Sequence, residues 1–110
     1  MKQYFIVLGL LTAAFSGWAG AGDAAPTTLT IKNHKFAPAE IHVKANEASQ
    51  FMLVNGDSTA EEFDSASLKV EKVVAGNAQG VVRLRPLAPG RYPFMGEYHA
   101  DTAQGVVVAE

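Results

Sequence analysis

Polar and apolar residues alternate one by one through much of the chain. Residues 28–33 read Thr-Leu-Thr-Ile-Lys-Asn and residues 40–44 read Glu-Ile-His-Val-Lys. This is the period of two that lets a strand bury one face and wet the other. Residues 49–54 predict a third strand of more continuous hydrophobicity, stopped by Asn55-Gly56-Asp57-Ser58. Further strands are expected at 68–75, 80–85 and 92–95, punctuated by Gly76-Asn77 and by Leu87-Ala88-Pro89-Gly90. Residues 105–109, with three successive valines, close the series. Residues 33–38 read as a connecting loop, and residues 57–67 as a long acidic connection with room for a short strand at 63–65. No segment sustains helical periodicity, and there is no internal repeat. Strands at roughly ten-residue spacing with Gly/Pro turns predict an all-β fold, an antiparallel Greek-key β-sandwich of about seven or eight strands.

If the short strand is counted, the first, third and seventh strands run in one direction. Three loops then gather at one end of the sandwich: residues 34–38, 57–62 and 97–104. They carry most of the side chains capable of chemistry.

The first residues break the alternation. Lys2 is followed by an uncharged, largely apolar stretch over residues 4–18 and by the small residues Ala19-Gly20-Ala21. This is the layout of a secretory signal peptide. The expected division is a signal peptide at 1–21, a short lead-in at 22–27 and one domain at 28–110. Export places the domain in a periplasm, with no stable membrane insertion after cleavage. The alternative is an uncleaved anchor, since the uncharged window from Gln3 to Gly22 approaches a membrane-spanning length.

Composition narrows the chemistry. None of the 110 residues is cysteine, which excludes a disulfide framework, a zinc–thiolate site and a cysteine nucleophile. Nine basic against eleven acidic residues leave a formal charge of −2, giving no footprint for nucleic acid. No nucleophile-elbow motif or serine–histidine–aspartate spacing points to a hydrolase.

Two stretches carry a resemblance. Phe36-x-Pro38, then Ile41-x-Val43 and an apolar strand ending in Asn55, form the first. Pro89-Gly90-x-Tyr92-x-Phe94, then His99 and Gly105-Val106-Val107-Val108, form the second. Together they resemble the cupredoxins over nearly all of residues 28–110. A blue-copper centre uses two histidines, a cysteine thiolate and a weak axial methionine. On that pattern the first histidine falls at Glu61, with Glu62 beside it, and the cysteine at Gly96. His99 keeps the second histidine, and the methionine falls near Gln104. Without a thiolate a blue-copper carrier is excluded.

The remaining donors are harder. Glu97 and His99, two apart on an extended backbone, would point to one side. Glu61 and Glu62 approach from the neighbouring loop and His34 from the first. One or two imidazoles with two or three carboxylates suit copper, iron, manganese or zinc, and carboxylates favour the harder ions.

A narrower resemblance rests on Thr59-Ala60-Glu61-Glu62-Phe63-Asp64-Ser65, Leu68, Glu71-Lys72-Val73 and Gly96-Glu97-Tyr98-His99-x-x-Thr102-Ala103-x-Gly105. These look like the cysteine-free periplasmic cupredoxin-like component of bacterial ferrous-iron transport systems. The resemblance implies a role in iron uptake, with copper as cofactor and iron as substrate or ligand. It implies a membrane iron permease and a periplasmic iron-binding protein as partners. It also implies a copper-dependent ferroxidase working with a redox partner, or relay of Fe(II). His99, Glu97, Glu61, Glu62 and His34 match its motif positions.

Other residues have plainer expectations. His42, between Ile41 and Val43, should face solvent, and Met95 reads as core packing, or as a soft Cu(I) ligand if the strand turns its sulfur toward Glu97 and His99. Gln104 reads as a turn residue before Gly105, or as an axial oxygen donor. Tyr92, Phe94 and Phe63 read as core or as a wall around the site, and Tyr98 as exposed. Two further readings stand beside the iron-uptake one: a non-redox copper or iron carrier, and a metal-free β-sandwich interaction module whose charged end docks a partner.

Overall fold

The computed structural model describes residues 27–110. The expected signal peptide and the lead-in up to residue 26 lie outside the described residues. The rest forms nine strands: β1 (Thr27–Lys32), β2 (Lys35–Ala37), β3 (Glu40–Val43), β4 (Ser49–Asn55), β5 (Glu61–Ser65), β6 (Val70–Val74), β7 (Gln79–Leu84), β8 (Gly90–Gly96) and β9 (Gln104–Ala109). A single 3₁₀ turn, Glu97–His99, leads from β8 toward β9.

Two sheets pack face to face, in the orders β2-β1-β4-β7 and β3-β9-β8-β5-β6. The sandwich is the expected class with one more strand than the alternation predicts. β1–β4 and β3–β9 pair in parallel and the other pairs are antiparallel. The extra strand comes from the first loop. Asn33 and His34 make a two-residue turn with φ of 54° and 60°, and Lys32 pairs with Lys35 across it. Left-handed backbone at both central positions is the geometry of a tight hairpin, and asparagine and histidine tolerate it better than most residues. Residues 35–37 thus return as β2.

Inward positions follow the two-residue period, and Leu29, Ile31, Phe51, Leu53, Phe63, Phe94 and Val107 are buried. Four phenylalanines meet at one end of this core. Phe63 and Phe94 lie 4.8 Å apart, Phe36 meets Phe94 edge-on at 5.1 Å, and Phe51 meets Phe63 at 5.6 Å. Edge-on and offset aromatic pairs add about 0.5–1.5 kcal/mol each beyond their buried area. This cluster is the floor on which the candidate site stands: Glu61 is one inward step beyond Phe63 on β5, and Gly96 one inward step beyond Phe94 on β8.

A buried glutamate, two histidines and the candidate site

Residues 61–65 are a strand, and that settles which of the two adjacent glutamates enters the molecule. On β5 the alternation turns Glu61, Phe63 and Ser65 inward and leaves Glu62 and Asp64 on the outer face. Glu61 is 1% exposed. A carboxylate taken out of water has to find donors, and this one finds three. Oε1 accepts the backbone N–H of Tyr98 at 2.8 Å and of Glu62 at 3.0 Å, and Oε2 bonds His99 Nδ1 at 2.6 Å.

Room for the carboxylate comes from Gly96, the residue paired with Phe63. A Cβ built on Gly96 would lie 2.7 Å from Glu61 Cδ and 2.8 Å from Ala103 Cβ. Position 96, where a cupredoxin's cysteine falls, is therefore backbone only, and Glu61 fills the volume a side chain there would need. A buried thiolate–copper centre does not fit this arrangement.

The 3₁₀ turn changes the expected relation between Glu97 and His99. On an extended backbone they would share a side, but at about three residues per turn they diverge. His99 points to Glu61, with a quarter of its side chain exposed. Glu97 joins Glu62, Asp64 and Glu71 on the outer face of the sheet. A hydrogen bond with Asp64, then the charge of Asp64, holds the Glu97 carboxyl above its ordinary range. Desolvation, then the charges of Glu71 and Asp64, does the same for Glu62. The outer face is thus a group of carboxylates repelling one another.

His34 arrives from the β1–β2 turn, and its ring stacks on His99 with centroids 3.6 Å apart and planes 13° from parallel. The turn is held from two sides. Asp57 Oδ1 and Oδ2 accept the N–H groups of Asn33 at 2.8 Å and His34 at 2.9 Å, and Thr102 Oγ1 donates to His34 O at 2.6 Å. The backbone bond from His34, ahead of that from Asn33, lowers the Asp57 carboxyl below its ordinary range despite some desolvation. Asp57 is itself placed by Asn55, 1% exposed, whose Oδ1 accepts the Asp57 N–H and whose Nδ2 donates to Thr59 O at 2.9 Å. The three loops expected at one end are thereby tied together.

Of the five candidate residues the fold joins Glu61, His99 and His34, and it places Glu62 and Glu97 on the outer face. Among the described residues no group of three His, Cys, Asp or Glu side chains is arranged around one ion position. The second ring nitrogen of His99 and both of His34 have no partner among the described residues, and both residues are half-buried. Asp57 and Thr102 were not singled out as positioning residues in the sequence. Asp57 reads there as part of a strand stop, and only the tertiary bond to the first turn gives it a role.

Several expectations resolve around this centre. Met95 is 38% exposed on the outer face, because the β8 alternation that buries Phe94 turns its neighbour out. Gln104 begins β9 and donates to Ala100 O. His42 is exposed, with Nδ1 2.7 Å from Glu110 Oε2, and Tyr98 is exposed. Phe63 and Phe94 are core, while Tyr92 packs against it and donates to Ala88 O. Among the described residues no helix is long and apolar enough to cross a membrane.

Comparison with known proteins places the fold. A sequence family described as "Cupredoxin-like domain" matches residues 5–109. An uncharacterized protein of Rickettsia prowazekii (strain Madrid E), RP394, is 40% identical over 80 residues, 73% of this chain and 64% of that protein. The chain thus spans just under two thirds of that relative's length. Amicyanin from Paracoccus versutus superposes with a TM-score of 0.62 at 16% identity, over 84% of this chain and 88% of amicyanin. The reduced Cu(I) form at pH 4 of an amicyanin variant gives 0.62 at 17%, over 84% and 89%. A chain of a heme-copper terminal oxidase dimer gives 0.63 at 14%, over 76% of this chain and 63% of its own. At such identities these structures establish the likeness of fold.

Proposed function

The chain belongs to the cupredoxin-like domain family, and from that premise we propose that it is an exported metal-handling protein. It takes up an ion at the imidazole edge of His99, against which the ring of His34 stacks, and passes it on. The observation that carries this reading is the 2.6 Å bond between His99 Nδ1 and Glu61 Oε2. A carboxylate only accepts, so Nδ1 carries the proton and Nε2 is left as a lone pair facing outward. A histidine whose other nitrogen is held by a carboxylate is the usual arrangement of a metal-binding imidazole.

The donors suit exchange rather than permanent storage. Neutral imidazole binds copper, iron and zinc, and copper held here would supply a one-electron acceptor. With no thiolate, and no third His, Asp or Glu side chain converging among the described residues, an ion held there keeps open positions for solvent or for a partner's ligands. This favours relay over the ferroxidase alternative.

Iron as cargo, a periplasmic setting, and a membrane permease with an iron-binding protein as partners are the finer part of the proposal. They rest on the sequence resemblance around Glu61-Glu62 and Gly96-Glu97-Tyr98-His99. The carboxylates of Glu62, Asp64, Glu71 and Glu97 beside the 3₁₀ turn are compatible with a hard cation passing nearby.

The test is titration of the chain with Cu(II) and Fe(II), separately and together, following bound-ion stoichiometry and Fe(III) formation. Relay predicts binding that His99→Ala removes, without Fe(III) production. Copper-dependent Fe(III) formation would replace it with the ferroxidase reading, and absence of specific binding would leave the interaction module.

A further inference from the structure

We propose that Glu61 is a positioning residue, the buried carboxylate that fixes which nitrogen of His99 is offered to solvent. The proposal rests on the reading of His99 as a metal ligand and assigns the residue that orients it.

The two oxygens of Glu61 are not equivalent. Oε1 is committed to two backbone donors, Tyr98 N–H and Glu62 N–H, while among the described residues Oε2 bonds His99 Nδ1 alone. The carboxylate occupies the space that β8 leaves open at Gly96, where a Cβ would lie 2.7 Å from Glu61 Cδ and 2.9 Å from Oε2. His99 is equally constrained, with its ring stacked on His34. Turning the ring over would remove Nδ1 from Oε2 and leave that buried oxygen without a donor. The fold therefore selects one tautomer, Nδ1–H, before any ion arrives.

This geometry makes Glu61→Gln a diagnostic substitution rather than a neutral one. The amide has one acceptor oxygen, and the two backbone N–H groups require it at the Oε1 position. The amide NH₂ must then occupy the Oε2 position and donate to His99 Nδ1. That inverts the tautomer, placing the proton on Nε2 and removing the outward lone pair while shape and volume are kept.

The experiment uses the full chain without metal at about pH 8, above the ordinary histidine range. Long-range ¹H–¹⁵N correlation spectra report the tautomer of His99, and Zn(II) alone serves as a diamagnetic binding probe. Wild type is expected as Nδ1–H and Glu61→Gln as Nε2–H, with little change in thermal midpoint. Zn(II) affinity should fall about 10–100-fold in the variant, the usual effect of losing a ligand's supporting hydrogen bond. An Nε2–H tautomer in wild type, or an unchanged tautomer in the variant, overturns the positioning role. An inverted tautomer with unchanged Zn(II) binding upholds that role and overturns His99 as the ligand. The wild-type spectrum decides the tautomer even where the variant fails to fold.

Discussion

The carboxyl carbon of Glu61 lies 2.7 Å from the point that a Cβ on Gly96 would occupy. The two residues share one volume, glutamate on β5 supplying the atoms that β8 leaves out. Gly96→Ala must displace the carboxylate or Ala103, whose Cβ lies 2.8 Å from the same point. Overpacking of this kind costs about 1–3 kcal/mol, read as a lower urea midpoint. Combining it with Glu61→Ala removes one of the two obstacles, so the penalties should fail to add by about 0.5–3 kcal/mol. Simple additivity would separate the two positions.

His99→Ala should be more destabilising than its partial exposure suggests. It takes the only donor among the described residues from Oε2 of a glutamate that is 1% exposed. Leaving a buried acceptor unsatisfied costs about 1–3 kcal/mol, measurable in chemical unfolding without metal. His34→Asn is the matched comparison. Asparagine keeps the left-handed φ of 60° at that position and removes the stacked ring. It should reduce metal affinity with a smaller loss of stability than His99→Ala, and an equal loss would mean that the stack is structural.

The alternation of Leu29 with Ile31 and of Ile41 with Val43 was enough to read the sandwich, because a half-buried strand writes its period directly into sequence. The same rule explains the misses. β2 holds three residues, too few to display a period, and its turn has asparagine and histidine where glycine usually signals a hairpin. Met95 follows Phe94 in an apolar run, so only the register of β8 decides which of them is core. Glu97 and His99 diverge because the backbone leaves the strand at Gly96 for a 3₁₀ turn, which no local pattern announces. Glu61 was legible as a candidate through resemblance, but its burial depends on the empty side of Gly96, 35 residues away in the chain.

Asp57→Asn should loosen the turn that presents His34, in a pH-dependent way. The folded-state carboxyl of Asp57 is lowered chiefly by the His34 N–H bond, from an ordinary 3.8. A lowered carboxyl stabilises the fold above its unfolded value, and that contribution disappears as pH falls through the folded value. At pH 7 the variant, with one acceptor oxygen for two N–H donors, should unfold at lower urea than wild type. As pH falls from the ordinary value through the lower folded one, the two midpoints should converge. A gap that persists in acid would assign the loss to geometry rather than charge.

The outer face predicts a change of opposite sign. Glu62, Asp64, Glu71 and Glu97 form no ion pair among the described residues, and the Glu62 and Glu97 carboxyls are raised above an ordinary 4.5. A raised carboxyl binds its proton more readily in the folded protein than in the unfolded chain. Stability therefore rises as pH falls from the folded values toward the ordinary one, and is lower above the folded values. Glu97→Gln removes one repelling charge and should raise the urea midpoint at pH 7. Its advantage should shrink as pH approaches 4.5 and as added salt screens the remaining charges. Glu97 and His99 leave the same 3₁₀ turn in different directions, so the variant should leave Zn(II) affinity at His99 nearly unchanged. A large loss of affinity would instead join the outer carboxylates to the imidazole site and make Glu97 a ligand.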